Sequence, residues 1–122
     1  MWPFLLYKNE VYIMKNRDFQ TVYKKGKSYA NKYLVMYLLK NNTEENRLGI
    51  SVSKKVGNSI VRHRITRLIR ESYRLQRDNF QNGYDIVIVA RTVSKDKNYK
   101  EIESALLHLG KLHNIIDDSL EN

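Results

Sequence analysis

The sequence predicts an α+β domain, an α/β sandwich in which helices pack on a small mixed sheet. The chain has 122 residues, the size of one domain, and 42% of them are hydrophobic, which is too many for a disordered basic tail. Helical and strand-like patterns follow one another in the order α-β-β-α-β-α. We divide the chain into an N-terminal arm at residues 1–15, one domain at 16–116 and a short tail at 117–122.

The first helix is predicted at residues 17–25, with Asn16 as its cap and Gly26 as a left-handed stop. Three apolar residues share one side of this helix: Phe19, Val22 and Tyr23. Before it, residues 1–7 are apolar but have no basic stretch ahead of them, and a polar segment ends them early. We therefore expect an extended arm or edge strand there, and not a signal peptide.

Two strands follow, and the polar loop at residues 41–46 between them suits a hairpin. The first strand, residues 32–40, has two apolar faces, so it is either covered twice or offers an aromatic platform. One face carries Tyr33, Val35, Tyr37 and Leu39, and the other carries Leu34, Met36 and Leu38. The second strand, residues 47–53, sets Leu48, Ile50 and Val52 opposite the small residues Gly49, Ser51 and Ser53.

A long helix is predicted at about residues 59–79, opened by Gly57 and Asn58. The third strand, residues 84–91, has a continuous apolar run that suits an interior strand. Asn98 with Glu101 resembles a capping box for a last helix at about residues 99–115. The core stripe of that helix is Ile102, Ala105, Leu106, Leu109 and Leu112.

Charge and composition narrow the class of partner. Lys and Arg number 22 against 13 Asp and Glu, a net charge of +9, which in a folded domain indicates an anionic partner, most often nucleic acid. A merely soluble basic protein is the alternative. The sequence has no cysteine, which excludes disulfides and thiolate chemistry and fits a cytoplasmic location. The longest apolar run, seven residues, is far short of the roughly 20 that a membrane span needs.

The long helix separates a core face from a basic stripe, when residues are placed at about 100° intervals. The core face carries Val61, Ile65, Leu68, Ile69, Ser72 and Leu75, and the stripe carries His63, Arg64, Arg67, Arg70, Arg74 and Arg77. A solvated face normally mixes signs, whereas this stripe contains one acid, Glu71, which we interpret as a salt-bridge partner of a nearby arginine. Arginine binds phosphate as a planar bidentate donor, so the stripe is predicted to lie along a phosphodiester backbone.

A second candidate surface is aromatic. Four rings on the first helix and first strand are predicted to face one another: Phe19, Tyr23, Tyr33 and Tyr37. The small Ser51 and Ser53 on the neighbouring strand leave a groove, and aromatic faces stack unpaired bases. Spacing alone favours the simpler interpretation, in which these residues pack the helix onto the sheet.

No group of residues in the sequence suggests an active site within the protein. His108 and His113 are five apart and fall on different faces of a helix, and the acids are scattered. Two-metal nucleases need several acids that converge. We therefore predict no catalytic residue and no metal ligand in this chain.

Two adjoining segments resemble a known signature. Residues 49–58 read Gly-Ile-Ser-Val-Ser-Lys-Lys-Val-Gly-Asn, and residues 61–71 read Val-Arg-His-Arg-Ile-Thr-Arg-Leu-Ile-Arg-Glu. Together they resemble the signature of the bacterial ribonuclease P protein subunit. The likeness extends from about residue 16 to residue 112 and includes the strand at residues 83–91.

The resemblance implies a left-handed β-α-β crossover around the long helix, and it implies a function. In that family a catalytic RNA removes the 5′ leader of precursor tRNA with Mg²⁺ bound mainly by RNA, and the protein itself holds no cofactor. The implied partners are the ribonuclease P RNA subunit and the precursor tRNA leader, with no membrane and no small-molecule substrate. The RNA-subunit-binding residues implied by position, with the stripe residue Arg74 added, are Lys54, Lys55, Arg62, His63, Arg64, Arg67, Arg70 and Arg74. The leader-binding residues so implied are Phe19, Tyr23, Tyr37, Ser51 and Arg91.

Three features depart from the family's pattern. His63 stands where that family usually has Asn, and Thr66 stands where it usually has Lys. The N-terminus, usually basic in the family, is apolar here at residues 1–7. The alternative to this family is a ribosomal or other structural RNA-binding protein, and a nuclease active without RNA is a rival of another class.

Overall fold

The computed structural model describes residues 14–116, so the predictions for the N-terminal arm before residue 14 and for the tail from residue 117 lie outside the described residues. Residues 14–116 form three helices, α1 (Asn16–Lys25), α2 (Ser59–Gln76) and α3 (Tyr99–Leu112). They also form four strands, β1 (Lys27–Ala30), β2 (Leu34–Lys40), β3 (Arg47–Ser51) and β4 (Tyr84–Ala90). Short 3₁₀ turns follow α2 at Arg77–Asn79 and β4 at Thr92–Asp96. The predicted α+β class is confirmed, although β1 was not predicted because it is short and mostly exposed.

The strands lie in the order β1-β2-β4-β3 within one mixed sheet. β4 is antiparallel to β2 and parallel to β3, and α2 forms the connection between the two parallel strands. The predicted hairpin between β2 and β3 is therefore wrong, because β4 lies between them. The apolar run of β4 explains this position, since an interior strand with both faces covered buries more apolar surface than an edge strand. The prediction that β4 is an interior strand is confirmed.

The helix ends agree in part with the predicted caps. The Asn58 side chain accepts a hydrogen bond from the Val61 amide at 3.0 Å and caps α2, and Asn98 with Glu101 forms the predicted capping box of α3. In contrast, α1 is capped by Lys15 and not by the predicted Asn16. The Lys15 amide donates to the Asp18 carboxylate at 3.1 Å. Gly26 has an extended backbone, with φ −80°, so the predicted left-handed stop is wrong.

Gly26 is a glycine for a different reason. A Cβ atom at this position would lie 2.6 Å from the Val22 carbonyl oxygen and 2.9 Å from the Leu38 carbonyl oxygen. Both are backbone atoms, so neither can move without shifting α1 or β2. The absence of a side chain therefore lets the end of α1 pass close to β2.

The large core lies between one face of the sheet and the helices α2 and α3. It is built on buried residues from both layers, among them Leu34, Met36, Ile65, Ile69, Ile86, Ile88, Ile102, Leu106 and Leu109. Two predicted core residues are wrong: Leu75 is 57% exposed and Leu112 is 42% exposed, and both lie in the last turn of their helix. Tyr73 is buried on α2 instead, with its ring 5.2 Å from that of Phe80.

One ion pair joins β3, β4 and α1. Arg47 and Asp85 are register partners in the two parallel strands, and the guanidinium donates to both carboxylate oxygens, at 2.8 and 2.5 Å. Asn41 donates to the same carboxylate at 3.0 Å, and Arg47 also reaches Asp18 of α1 at 3.5 Å. Burial alone would raise the pKa of Asp85, but the hydrogen bonds from Arg47 and Asn41 outweigh it and hold this pKa below its usual value.

We expect Asp85→Asn to lower the free energy of unfolding by about 2 kcal/mol at neutral pH, because Arg47 loses its charged hydrogen-bond acceptor. The loss is not larger because the Arg47 side chain remains partly solvated. The pKa of Asp85 is lower in the folded than in the unfolded chain. Its contribution is therefore complete above the unfolded value of about 4 and is lost as pH falls through the folded pKa. Urea denaturation at neutral pH and at about pH 3 should show the difference between wild type and variant narrowing in acid.

The matched control is Asp96→Asn. This carboxylate is 75% exposed, and its 3.9 Å distance to the Lys97 ammonium is too long for a hydrogen bond. Its effect should stay below about 0.5 kcal/mol at both pH values. A penalty for Asp85→Asn that is unchanged in acid would contradict the role of the charged carboxylate.

Candidate nucleic-acid interface

The basic stripe of α2 faces away from the core, because Ile65 and Ile69 turn the opposite side of the helix into it. Of the eight residues predicted to bind the RNA subunit, five are exposed along α2 and the segment before it: Lys54, Lys55, His63, Arg64 and Arg67. The stripe therefore presents a positive surface on the side of α2 away from the sheet.

Three other residues of the predicted set are held by the protein. Arg62 is half-buried and its Nε donates to the Gly57 carbonyl at 3.2 Å. Arg74 pairs with Glu71 at 2.6 Å, which confirms the predicted salt bridge. Arg70 is only 7% exposed, so its predicted place on the outer face is wrong. The reason is that Tyr73, one turn further along α2, is buried and widens the buried arc of the helix towards Arg70.

Arg64 connects α2 to the turn after β4. Its guanidinium donates to the backbone carbonyls of Lys95 at 3.2 Å and Lys97 at 2.6 Å. These hydrogen bonds hold the backbone of this turn beside the basic stripe. The sequence did not predict this connection, because the two segments are about thirty residues apart and neither carries a motif that points to the other.

An aromatic cleft lies on the other face of the sheet, where α1 packs. Val22 of α1 is fully buried against Val87 of β4. The ring of Tyr23 lies edge-on to that of Tyr37, with 4.9 Å between centroids, and Phe19 lies 6.2 Å from Tyr23. We call this surface, formed by the rings of Phe19, Tyr23 and Tyr37, the aromatic cleft.

A glycine of β3 forms the floor under Phe19. A Cβ atom on Gly49 would lie 2.7 Å from the Phe19 Cζ, so the ring uses the space that any larger residue would fill. Ser51, two residues along the same strand, is half-buried and pairs in register with Val89. The small residue at position 49 therefore leaves room for the Phe19 ring on this side of the sheet.

Two other predicted residues lie near the end of the sheet. Tyr33 does not join the aromatic cleft, because it precedes β2 and packs against the large core on the opposite face. The expected group of four rings is therefore three. Arg91 is exposed just after β4, and its guanidinium donates to the Asn31 carbonyl at 2.8 Å. It lies at the rim of the sheet, directly after the last residue of β4.

His113 and Tyr99 are both hydrogen-bonded within the protein. His113 donates through Nε2 to the Met36 carbonyl at 2.9 Å, and burial lowers its pKa. Burial and a hydrogen bond to Glu103 raise the pKa of Tyr99 to about 12. Within residues 14–116, no group of three or more His, Asp or Glu residues is placed to hold a metal ion. No helix in that range is long and apolar enough to cross a membrane.

A basic helix face and an aromatic cleft on opposite faces of one sheet define a protein of the RNA-binding class. Comparison with known families makes this specific, because the family model for ribonuclease P matches residues 7–113. The chain belongs to the ribonuclease P protein family, whose members are protein components of a tRNA-processing endoribonuclease.

Individual relatives agree with this assignment. The chain is 66% identical over 107 residues to the ribonuclease P protein component of Lachnoclostridium phytofermentans, covering 88% of this chain and 92% of the relative. The solved Staphylococcus aureus RNase P protein superposes with a TM-score of 0.80 at 40% identity, covering 87% of this chain and 98% of that one. The Thermotoga maritima protein gives 0.76 at 30% identity, covering 82% and 96%.

Proposed function

We propose that this protein docks on the ribonuclease P RNA subunit through the basic stripe and holds the single-stranded 5′ leader of precursor tRNA in the aromatic cleft. The observation that carries the proposal is the placement of these two surfaces on opposite faces of one sheet. A protein built in this way can contact a structured RNA and a separate single strand at the same time.

The basic stripe has the chemistry for a phosphodiester backbone. Exposed arginines on a rigid helix present planar donors at fixed spacing, which suits phosphate oxygens. Arg67 is the best placed of them, because Arg64 already donates to the turn after β4 and Arg70 is buried. Thr66 bonds its hydroxyl back to the Arg62 carbonyl at 2.8 Å, so it adds no positive charge to the stripe.

The aromatic cleft has the chemistry for unpaired bases. Partly exposed rings stack on bases of any sequence, which suits a leader that differs from one precursor tRNA to another. The tilted and edge-on contacts among Phe19, Tyr23 and Tyr37 hold the rings in place before RNA arrives. Binding then loses less side-chain freedom than it would with mobile rings.

Hydrolysis itself is assigned to the RNA subunit, with Mg²⁺ bound mainly by RNA and no cofactor held by the protein chain. The support is the scattered placement of acids and histidines within residues 14–116. The protein's contribution is to bind and orient the leader, which increases the affinity of the holoenzyme for precursor tRNA over mature tRNA. We also propose a cytoplasmic location, which a chain without cysteine fits.

The proposal as a whole is tested by reconstitution. Added to a bacterial ribonuclease P RNA at low Mg²⁺, the protein should restore removal of the leader from precursor tRNA. The protein alone should cleave nothing, because within residues 14–116 no three His, Asp or Glu side chains are placed to hold a metal ion. Cleavage that persists after all RNA is removed, and that disappears on substitution of one protein residue, would place the active site in the protein.

Arg67→Ala tests the basic stripe. It removes one phosphate-facing charge, so the slope of log affinity for the RNA subunit against log salt should fall by about 1. Thr66→Lys should raise that slope, because it adds a charge at the edge of the stripe. Lys40→Ala, at the end of β2 away from the stripe, is the control and should leave the slope unchanged. Equal slopes for Arg67→Ala and wild type would show that the stripe does not touch phosphate.

Tyr37→Ala tests the aromatic cleft. Stacking on an aromatic ring is worth about 1–3 kcal/mol per base, so the holoenzyme should bind a precursor with a leader of several nucleotides about fivefold to 150-fold more weakly. Affinity for mature tRNA and for a precursor with one leader nucleotide should change little. Tyr37→Phe should keep most of the affinity, because it keeps the ring.

Tyr29→Ala is the matched control for this experiment. Tyr29 is also a half-buried tyrosine with an edge-on ring contact, to His113 at 4.7 Å, but it packs on the opposite face of the sheet. Its loss should lower stability without any dependence on leader length. If Tyr37→Ala weakens long-leader and one-nucleotide precursors equally, its ring is part of the core and not of a leader site.

A further inference from the structure

A second open cleft, which we call the α3 pocket, lies between the β1–β2 turn and α3. Its volume is about 590 Å³, within the range of roughly 300–1,000 Å³ that is typical of ligand sites. Residues 31–33 of the turn form one wall, and one side of α3 forms the other. Neither the basic stripe nor the aromatic cleft includes this pocket.

Asn31 holds the two walls together and fixes a donor in the α3 pocket. Its side-chain oxygen accepts from the amides of Tyr33 and Leu34, so its amino group must point to α3. There it donates to the Ala105 carbonyl at 2.9 Å and lies 3.2 Å from Nδ1 of His108. Because an amino group can only donate, Nδ1 of His108 is the acceptor in this contact.

The charges around the α3 pocket favour an anion. Lys32 and Lys100 line it and are exposed, one on each wall. A third ammonium, that of Lys97, stands 5.3 Å above the Tyr33 ring at the same end of the sheet. The one acid in the lining, Glu101, already accepts the Asn98 amide in the capping box of α3. Two ammonium groups on opposite walls of an open cleft suit a phosphate group bound between them.

The α3 pocket lies at the end of the sheet that carries Arg91, one of the predicted leader-binding residues. The amide of Arg91 donates to the Tyr33 carbonyl at 2.9 Å, and its guanidinium donates to the Asn31 carbonyl at 2.8 Å. Tyr33 and Tyr37 are four residues apart along the chain, which is about 13 Å at the rise of a strand. Because Tyr33 packs on the opposite face from Tyr37, a single strand leaving the aromatic cleft passes around the end of the sheet at Arg91 before it reaches the wall of the α3 pocket.

We propose that the α3 pocket binds phosphodiester groups of the precursor tRNA leader, at nucleotides further from the cleavage site than those in the aromatic cleft. Lys32 and Lys100 bind the phosphate, and the hydrogen bond from Asn31 to the Ala105 carbonyl holds their two walls in place. This inference rests on the proposed leader-binding function and extends it to longer leaders. It predicts a second, electrostatic contribution to affinity that begins only when the leader is long enough to pass Arg91.

The test uses the reconstituted holoenzyme with the double variant Lys32→Ala/Lys100→Ala and a series of precursors whose leaders run from one to about ten nucleotides, within the site sizes known for single-strand grooves. With the longest leader, the slope of log affinity against log salt should fall by about 1.4, because each single-strand phosphate that a lysine neutralises contributes about 0.7. With one leader nucleotide the variant should equal wild type. Lys27→Ala/Lys40→Ala removes the same charge at the ends of β1 and β2 away from the α3 pocket and is the matched control.

Tyr37→Ala is measured on the same series of leaders. Its penalty should begin at shorter leaders than the penalty of the double lysine variant. A penalty for Tyr37→Ala with none for the lysine variant overturns the α3 pocket alone, and no penalty for either overturns the leader function as well. A lysine variant that weakens assembly with the RNA subunit in the absence of precursor, equally for all leaders, assigns the pocket to that RNA and overturns its role in leader binding.

Discussion

The arrangement of the basic stripe and the aromatic cleft depends on the ion pair between Arg47 and Asp85. It joins β3 and β4 side by side at the start of both strands, and parallel strands need such a register contact because no tight turn connects them. The same guanidinium reaches Asp18 in the first turn of α1. One buried carboxylate thereby fixes the sheet edge and the position of the helix that forms one wall of the aromatic cleft.

The sheet keeps the two surfaces apart because β2 and β4 are apolar on both faces. One face packs against α2 and α3 and so determines which side of α2 remains outside. The other face is covered by α1 only in part, around Val22 and Val87, and leaves Val35 and Val89 half exposed beside the rings. A longer first helix would cover more of this face and close the aromatic cleft.

Helix caps, strand faces and the family motif could be predicted from the amino-acid sequence alone, because they depend on residues close together in the chain. Asn58 and Asn98 cap their helices as predicted, because a capping side chain needs only amides three residues ahead. Alternation assigned Met36 and Tyr37 to opposite faces, and the continuous apolar run identified β4 as an interior strand. The long motif at residues 49–71 was sufficient to identify the family, since a match of this length and specificity does not arise by chance.

The strand order, the burial of Arg70 and the partner of Asp85 could not be predicted in this way, because they depend on which helices and strands become neighbours in the folded protein. Placement of β4 between β2 and β3 replaced the expected hairpin, because burial of its two faces outweighs proximity along the chain. Arg70 fell on the buried side because packing around Tyr73 widened the contact arc of α2, which the helical period alone cannot show. The sequence also did not identify the partner of Asp85, although a carboxylate inside an apolar strand indicates that a hydrogen-bonding or ionic partner exists. Side-chain periodicity fixes directions along one element, whereas contacts between distant elements follow from the packing of the whole core.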